Sequence, residues 1–137
     1  MTAENRRRCL QALIASLLSI SLLTACVSAD SLQLSNGGGK SFTVRGKNYD
    51  QIWKAATLAM STDMSIVESH RPSGVIKSRV GAPPSGKVVG FFIQPTSPTA
   101  SDYTVTIVSK KPLQTDLVDR DWEPSVVEDF KAALGLR

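Results

Sequence analysis

An apolar segment near the start of the chain, residues 10–25, decides how much of the sequence is left to form a folded domain. It is shorter than the ~20 predominantly apolar residues that a helix needs to cross a bilayer, and serine, threonine and glutamine dilute it. Basic residues at 6–8 precede it, and small residues end it at Cys26. A basic region, an apolar region and a small-residue end are typical of a secretory signal peptide, so residues 1–25 are predicted to be removed.

The four residues at the end of this segment are Leu23, Thr24, Ala25 and Cys26. They resemble the lipobox of bacterial lipoproteins, in which an aliphatic residue, a small residue and Gly, Ala or Ser precede a cysteine. The resemblance implies cleavage between Ala25 and Cys26, a diacylglyceryl thioether on Cys26, and an acyl chain such as palmitate on its new amino group. Because two or more acyl chains hold a protein stably on a bilayer, it implies a membrane-anchored lipoprotein.

The residues on either side of the predicted cleavage site bear on export and sorting. Aspartate after a lipidated cysteine resembles an inner-membrane retention signal, but Val27 and Ser28 stand here. The resemblance therefore implies the periplasmic face of the outer membrane in a host with two membranes, and otherwise the extracytoplasmic face of the cell membrane. The arginines at 6–8 fit either general secretion or twin-arginine export, and the sequence leaves both open.

Cysteine and charge counts narrow the chemistry that is expected of the mature chain. Cys9 lies in the removed segment and lipid would occupy Cys26, so neither a disulfide nor a cysteine-based metal site is expected. His70 is the single histidine, which gives no zinc cluster, and no cofactor is predicted. Residues 27–137 contain 13 of the 16 basic residues and 11 of the 12 acidic ones, so their net charge is small. Binding of nucleic acid is therefore not predicted.

The rest of the sequence predicts a tether at residues 26–41 followed by one small domain at residues 42–137. Polar residues and three consecutive glycines at 37–39 favour a flexible tether. Alternating apolar residues, two runs of β-branched residues and one strongly apolar run then predict strands, and apolar residues at helical spacing predict two helices. The order is β-α-β-β-β-β-α, which indicates an α+β fold: an antiparallel sheet of about five strands with two helices on one face.

Residues 42–80 form the first part of this pattern, a strand, a helix containing Trp53, and two strands joined by a turn. They resemble the β-α-β-β module of small envelope lipoproteins, such as the lipoprotein C component of the outer-membrane barrel-assembly complex. Asn48 and Gln51 resemble a capping box that begins the helix. The resemblance implies a fold, and no functional residue follows from it.

Candidate site residues are concentrated in the predicted hairpin. Arg71, Lys77 and Arg79 are candidates for contact with an anionic surface, because Lys77 and Arg79 share one face of a strand. We predict a non-enzymatic binding or scaffolding protein whose partner is an envelope protein or peptidoglycan, with the oligomeric state open. The alternatives are a ligand-binding or hydrolytic accessory protein with a site near His70, and a small-ligand carrier with an apolar cavity.

Overall fold

The computed structural model describes residues 32–34, 38–82, 86–97, 101–110 and 122–136. The predicted signal peptide, with Ala25 and Cys26, lies outside the described residues. Within them the chain forms five strands, two helices and one short 3₁₀ turn, in this order: β1 (Lys40–Val44), α1 (Tyr49–Ser61), β2 (Ser65–His70), the 3₁₀ turn (Arg71–Ser73), β3 (Val75–Val80), β4 (Lys87–Pro95), β5 (Tyr103–Lys110) and α2 (Trp122–Leu134).

The five strands form one antiparallel sheet in the order β1-β5-β4-β3-β2. Strands β2 to β5 pair with their neighbours in sequence, and β5 then pairs with β1, so that Phe42 lies opposite Val105. Helix α1 links β1 at one edge of the sheet to β2 at the other. The predicted α+β fold and its element order are therefore confirmed.

One face of the sheet, here called the inner face, packs against both helices. Ile52 and Met60 of α1 and Phe130 of α2 are fully buried in the cluster formed there. Phe91 and Ile107 face them from the two central strands. Strand residues two apart point to the same side, so the alternation of apolar residues in β1 and β5 places Val44, Val105 and Ile107 in this core.

Local sequence explains where the helices begin and end. The Asn48 side chain accepts a hydrogen bond from the backbone N–H of Gln51 at 2.9 Å, and the Gln51 side chain accepts one from Asn48 N–H at 3.1 Å. These reciprocal bonds form the predicted capping box and satisfy two N–H groups that α1 would otherwise leave unpaired. Gly135, with φ of 69°, follows α2 in the left-handed conformation that glycine accommodates best.

The buried side of α2 contains apolar residues and one carboxylate. Ala133 is exposed, whereas Val126, Phe130 and Leu134 are buried. Glu123 is also buried and points at the sheet. One of its carboxylate oxygens accepts hydrogen bonds from the backbone N–H of Ser109, at 2.8 Å, and from the Ser109 hydroxyl. The carboxylate thereby ties the first turn of α2 to β5.

The opposite face, here called the outer face, carries a second apolar cluster that the sequence did not predict. Leu32 is 1% exposed and packs with Val88, Phe92 and Val108. The first strand also begins at Lys40 rather than at residue 42. Part of the segment predicted as a tether therefore belongs to the folded domain, because its leucine covers apolar residues of the outer face.

Candidate functional site

The three cations predicted to contact an anionic surface do not form one group. Lys77 and Arg79 share one face of β3, as predicted. They lie opposite Gly90 and Val88 of β4, and Val88 belongs to the outer-face cluster, so both cations lie on the outer face. Arg71 lies beyond the sheet in the 3₁₀ turn. Its guanidinium makes an ion pair with Asp50 in the first turn of α1. Arg71 therefore joins the turn to α1 and is separated from the other two.

Lys77 is engaged within the sheet. Its Nζ lies 2.9 Å from Oε2 of Glu68, which sits directly opposite on β2, and the lysine side chain is 8% exposed. Removing either partner from such a pair leaves an uncompensated charge in a poorly solvated place. Because of this pairing, Lys77 contributes little free positive charge to the outer face, and Arg79 is the predicted cation that remains.

His70 ends β2 and contacts Ser73 across the 3₁₀ turn. Its Nδ1 lies 2.7 Å from the Ser73 hydroxyl oxygen, and that hydroxyl donates to the backbone carbonyl of His70 at 3.2 Å. A hydroxyl has a single proton, so it can donate to the carbonyl or to the ring nitrogen but not to both. The carbonyl and the histidine therefore compete for the serine proton, and both contacts stabilise the turn.

A group of aromatic side chains lines a cleft at the end of the sheet where α1 begins. The Tyr49 ring lies 5.7 Å from the Tyr103 ring and 6.2 Å from the Trp53 ring, centroid to centroid. The Tyr49 hydroxyl donates to the backbone carbonyl of Arg71. Burial raises the pKa of Tyr49 above its usual 10.0; the Arg71 charge lowers it and Tyr103 raises it further.

This cleft has a volume of about 450 Å³, and Lys47, Asn48 and Gln51 lie beside the tyrosines. The side-chain oxygens of Asn48 and Gln51 accept the capping bonds, so their side-chain N–H groups remain as the donors of these two residues. Two rings with amide donors give a surface that suits a flat or polar ligand. Much of its polar chemistry, however, is already used to begin α1.

A second cleft, of about 550 Å³, lies at the opposite end of the sheet. It is bounded by Arg79 and by Asp63, which lies between α1 and β2 in a left-handed conformation with φ of 57°. Both clefts open at the ends of the sheet rather than between the helices and the sheet. They therefore do not correspond to the interlayer cavity that the small-ligand carrier hypothesis requires.

Sequence reasoning did not predict that the Leu32 side chain packs over Gly90. A Cβ on Gly90 would lie 2.7 Å from Cδ2 of Leu32 and 2.8 Å from Cε2 of Phe92, both far inside normal contact distances. Gly90 therefore leaves the space that the leucine fills. The signal was present in the sequence, because an isolated glycine inside an apolar strand often marks a close approach by another part of the chain.

Among the described residues, no group of three or more His, Cys, Asp and Glu side chains is arranged to hold a metal ion. No helix in this part of the chain has the length and apolarity needed to cross a membrane. Comparison with protein-family models and with the sequences of curated proteins gave no match.

Proposed function

We propose that this chain is an exported lipoprotein, held by lipid on Cys26 at the periplasmic face of the outer membrane, where its domain binds or scaffolds a partner. The observation that carries the proposal is the sequence Leu23-Thr24-Ala25-Cys26 at the end of a signal-like segment, six residues before the first described residue, Leu32. The partner is an envelope protein or peptidoglycan.

A binding role is supported by the hydrogen bonds that the polar side chains make within the domain. The polar groups nearest the inner core make structural bonds: Ser78 donates to the carbonyl of Met60 at 2.6 Å, and Glu123 accepts from Ser109 at 2.8 Å. Among the described residues, β1 and β2 are the edge strands, and each pairs with a strand on one side alone. An exposed edge strand can accept an extended segment of a partner through backbone hydrogen bonds.

Cys26→Ser is expected to abolish lipidation completely, because the thioether needs the sulfur atom. The test is metabolic labelling with an alkyne analogue of palmitate, followed by measurement of the intact mass. The wild-type chain should incorporate label and begin at residue 26, whereas Cys26→Ser should be unlabelled and retain residues 1–25. Cys9→Ser is the matched control, since it removes the other cysteine and should behave as wild type.

Two results would contradict the proposed anchor. One is equal labelling of wild type and Cys26→Ser, and the other is a native chain that carries no lipid and remains in the soluble fraction. Separation of the two membranes on a density gradient then tests the outer-membrane location. Recovery with the inner membrane would leave the anchor intact and overturn the sorting inferred from Val27.

A hydrolytic site near His70 is the alternative proposal, favoured only by the 2.7 Å contact between His70 and Ser73. Because the backbone carbonyl of His70, 3.2 Å from the Ser73 hydroxyl, competes with the ring for the serine proton, we expect a fluorophosphonate probe to leave Ser73 unmodified. Mass spectrometry of the peptide that contains the 3₁₀ turn checks this, with Ser101 as an exposed internal reference. Selective modification of Ser73 that is lost in His70→Ala would instead establish the alternative.

A further inference from the structure

We infer that, in the anchored protein, the outer face of the sheet is turned toward anionic phospholipid headgroups, with Arg79 and Lys110, which flank the buried Val88, as the contacting cations. This inference rests on the proposed lipid at Cys26. It adds an orientation of the domain, and it names the bilayer surface itself as a binding partner of the folded part.

The position of Leu32 determines which side of the domain is nearest the anchor. Leu32 is held on the outer face, and Cys26 precedes it by six residues. An extended chain spans at most about 3.6 Å per residue, so the two Cα atoms lie within about 22 Å of each other. A chain free as far as Gly39 would reach about 47 Å. The buried leucine therefore keeps the outer face close to the bilayer.

The strand register places two cations close to this attachment point. Arg79 on β3 and Lys110 on β5 both lie directly opposite Val88 of β4. Residues that are directly opposite share a face, and adjacent strands are about 4.8 Å apart, so the Cα atoms of the two cations lie about 10 Å apart with Val88 between them. Val88 belongs to the cluster that holds Leu32, which packs over Gly90 two residues along β4. The anchored segment therefore meets the sheet next to the row that carries the two cations.

Neither of these cations makes an ion pair with another described residue, whereas Lys77 in the next row is paired with Glu68. Arg79 is half-buried and Lys110 is exposed. Asp63 lines the same cleft as Arg79 without pairing with it. Each Lys or Arg close to an anionic membrane surface favours the membrane-facing orientation a few-fold. This attraction falls away within a Debye length of about 8 Å. Two cations on a short tether therefore suffice to orient a domain that lipid already holds.

Lysine acetylation on proteoliposomes tests this orientation with the complete lipoprotein. The purified protein is reconstituted into vesicles of phosphatidylcholine, with or without phosphatidylglycerol, and pulsed with an amine-reactive acetylating reagent. Peptide fragmentation then separates Lys110 from Lys111. We expect Lys110 to react about fivefold more slowly when phosphatidylglycerol is present. Lys54, exposed on α1 on the other side of the sheet, should react equally in both vesicle types.

Charge reversal at Arg79 supplies a matched pair of variants. Arg79→Glu should remove the protection of Lys110, because it cancels the second cation without altering the reporter. Lys54→Glu makes the same change of charge on the helical side and should leave the protection of Lys110 unchanged. If Arg79→Glu lowers the thermal stability, Arg79→Gln is used in its place. Arg79→Gln should remove part of the protection of Lys110, because it removes one positive charge without adding a negative one.

Equal slowing of Lys110 and Lys54, or a Lys110 rate that ignores phosphatidylglycerol, would overturn the orientation. Flotation of the vesicles in the same samples reports on the anchor separately. Protein that fails to float contradicts the proposed lipoprotein and this inference together. Protein that floats with uniform lysine reactivity contradicts the orientation and leaves the anchor standing.

Discussion

Phe130→Ala is expected to reduce the free energy of unfolding by about 3–5 kcal/mol, through lost burial and the cavity left behind. Phe130 is fully buried on α2, and its ring centroid lies 5.1 Å from that of Phe91 and 6.0 Å from that of Phe42. It therefore joins α2 to a central strand and to the edge strand β1. Because small domains are stable by only about 5–15 kcal/mol, this loss is a large part of the total.

Urea unfolding of the chain from residue 26 onward, followed by the fluorescence of Trp53 and Trp122, measures this effect. Phe130→Leu is the companion variant; it keeps most of the apolar volume and should cost less than about 1.5 kcal/mol. It also gives a measurable value if the alanine variant does not fold. Similar losses for the two variants, or a loss below about 1 kcal/mol for alanine, would show that α2 is not held by this ring.

The fold could be predicted because local patterns and tertiary packing agree along most of the chain. Apolar residues alternate in β5, so Val105 and Ile107 had to share a face, and both are fully buried against the helices. The order of the strands was beyond this reasoning. Strand β1 pairs with β5, far away in sequence, and such pairing depends on the path that α1 takes across the sheet.

The candidate site was harder to predict because side-chain partners from distant segments decide which charges stay free. Lys77 and Arg79 were correctly placed on one face, but nothing in the local pattern pairs Lys77 with Glu68. Nor could the sequence place Arg71 beside Asp50, since that contact requires the turn after β2 to lie at the start of α1. Lys110 lies across Val88 from Arg79, and only the register of the sheet made it a candidate.

Leu32→Ala is expected to release the N-terminal segment from the outer face and to destabilise the domain by about 2 kcal/mol. The side chain is 1% exposed over Val88, Phe92 and Val108, and burial of a leucine contributes about 1.5–3 kcal/mol. The cost stays at the lower end of core leucine truncations, because a segment next to a chain end can detach while the sheet and its inner core remain folded. Denaturant unfolding measures the loss, and faster proteolysis before Lys40 reports the detachment.

Leu58→Ala is the matched control, since the same truncation at a side chain that is 60% exposed on α1 should change stability by less than about 0.5 kcal/mol. A double-mutant cycle with Gly90→Ala tests the contact itself. A methyl group at Gly90 would lie 2.7 Å from Leu32, so the substitution should cost less once residue 32 is alanine. Additive losses would mean that the leucine does not occupy the space over Gly90, and the short tether on which the membrane orientation depends would fail with it.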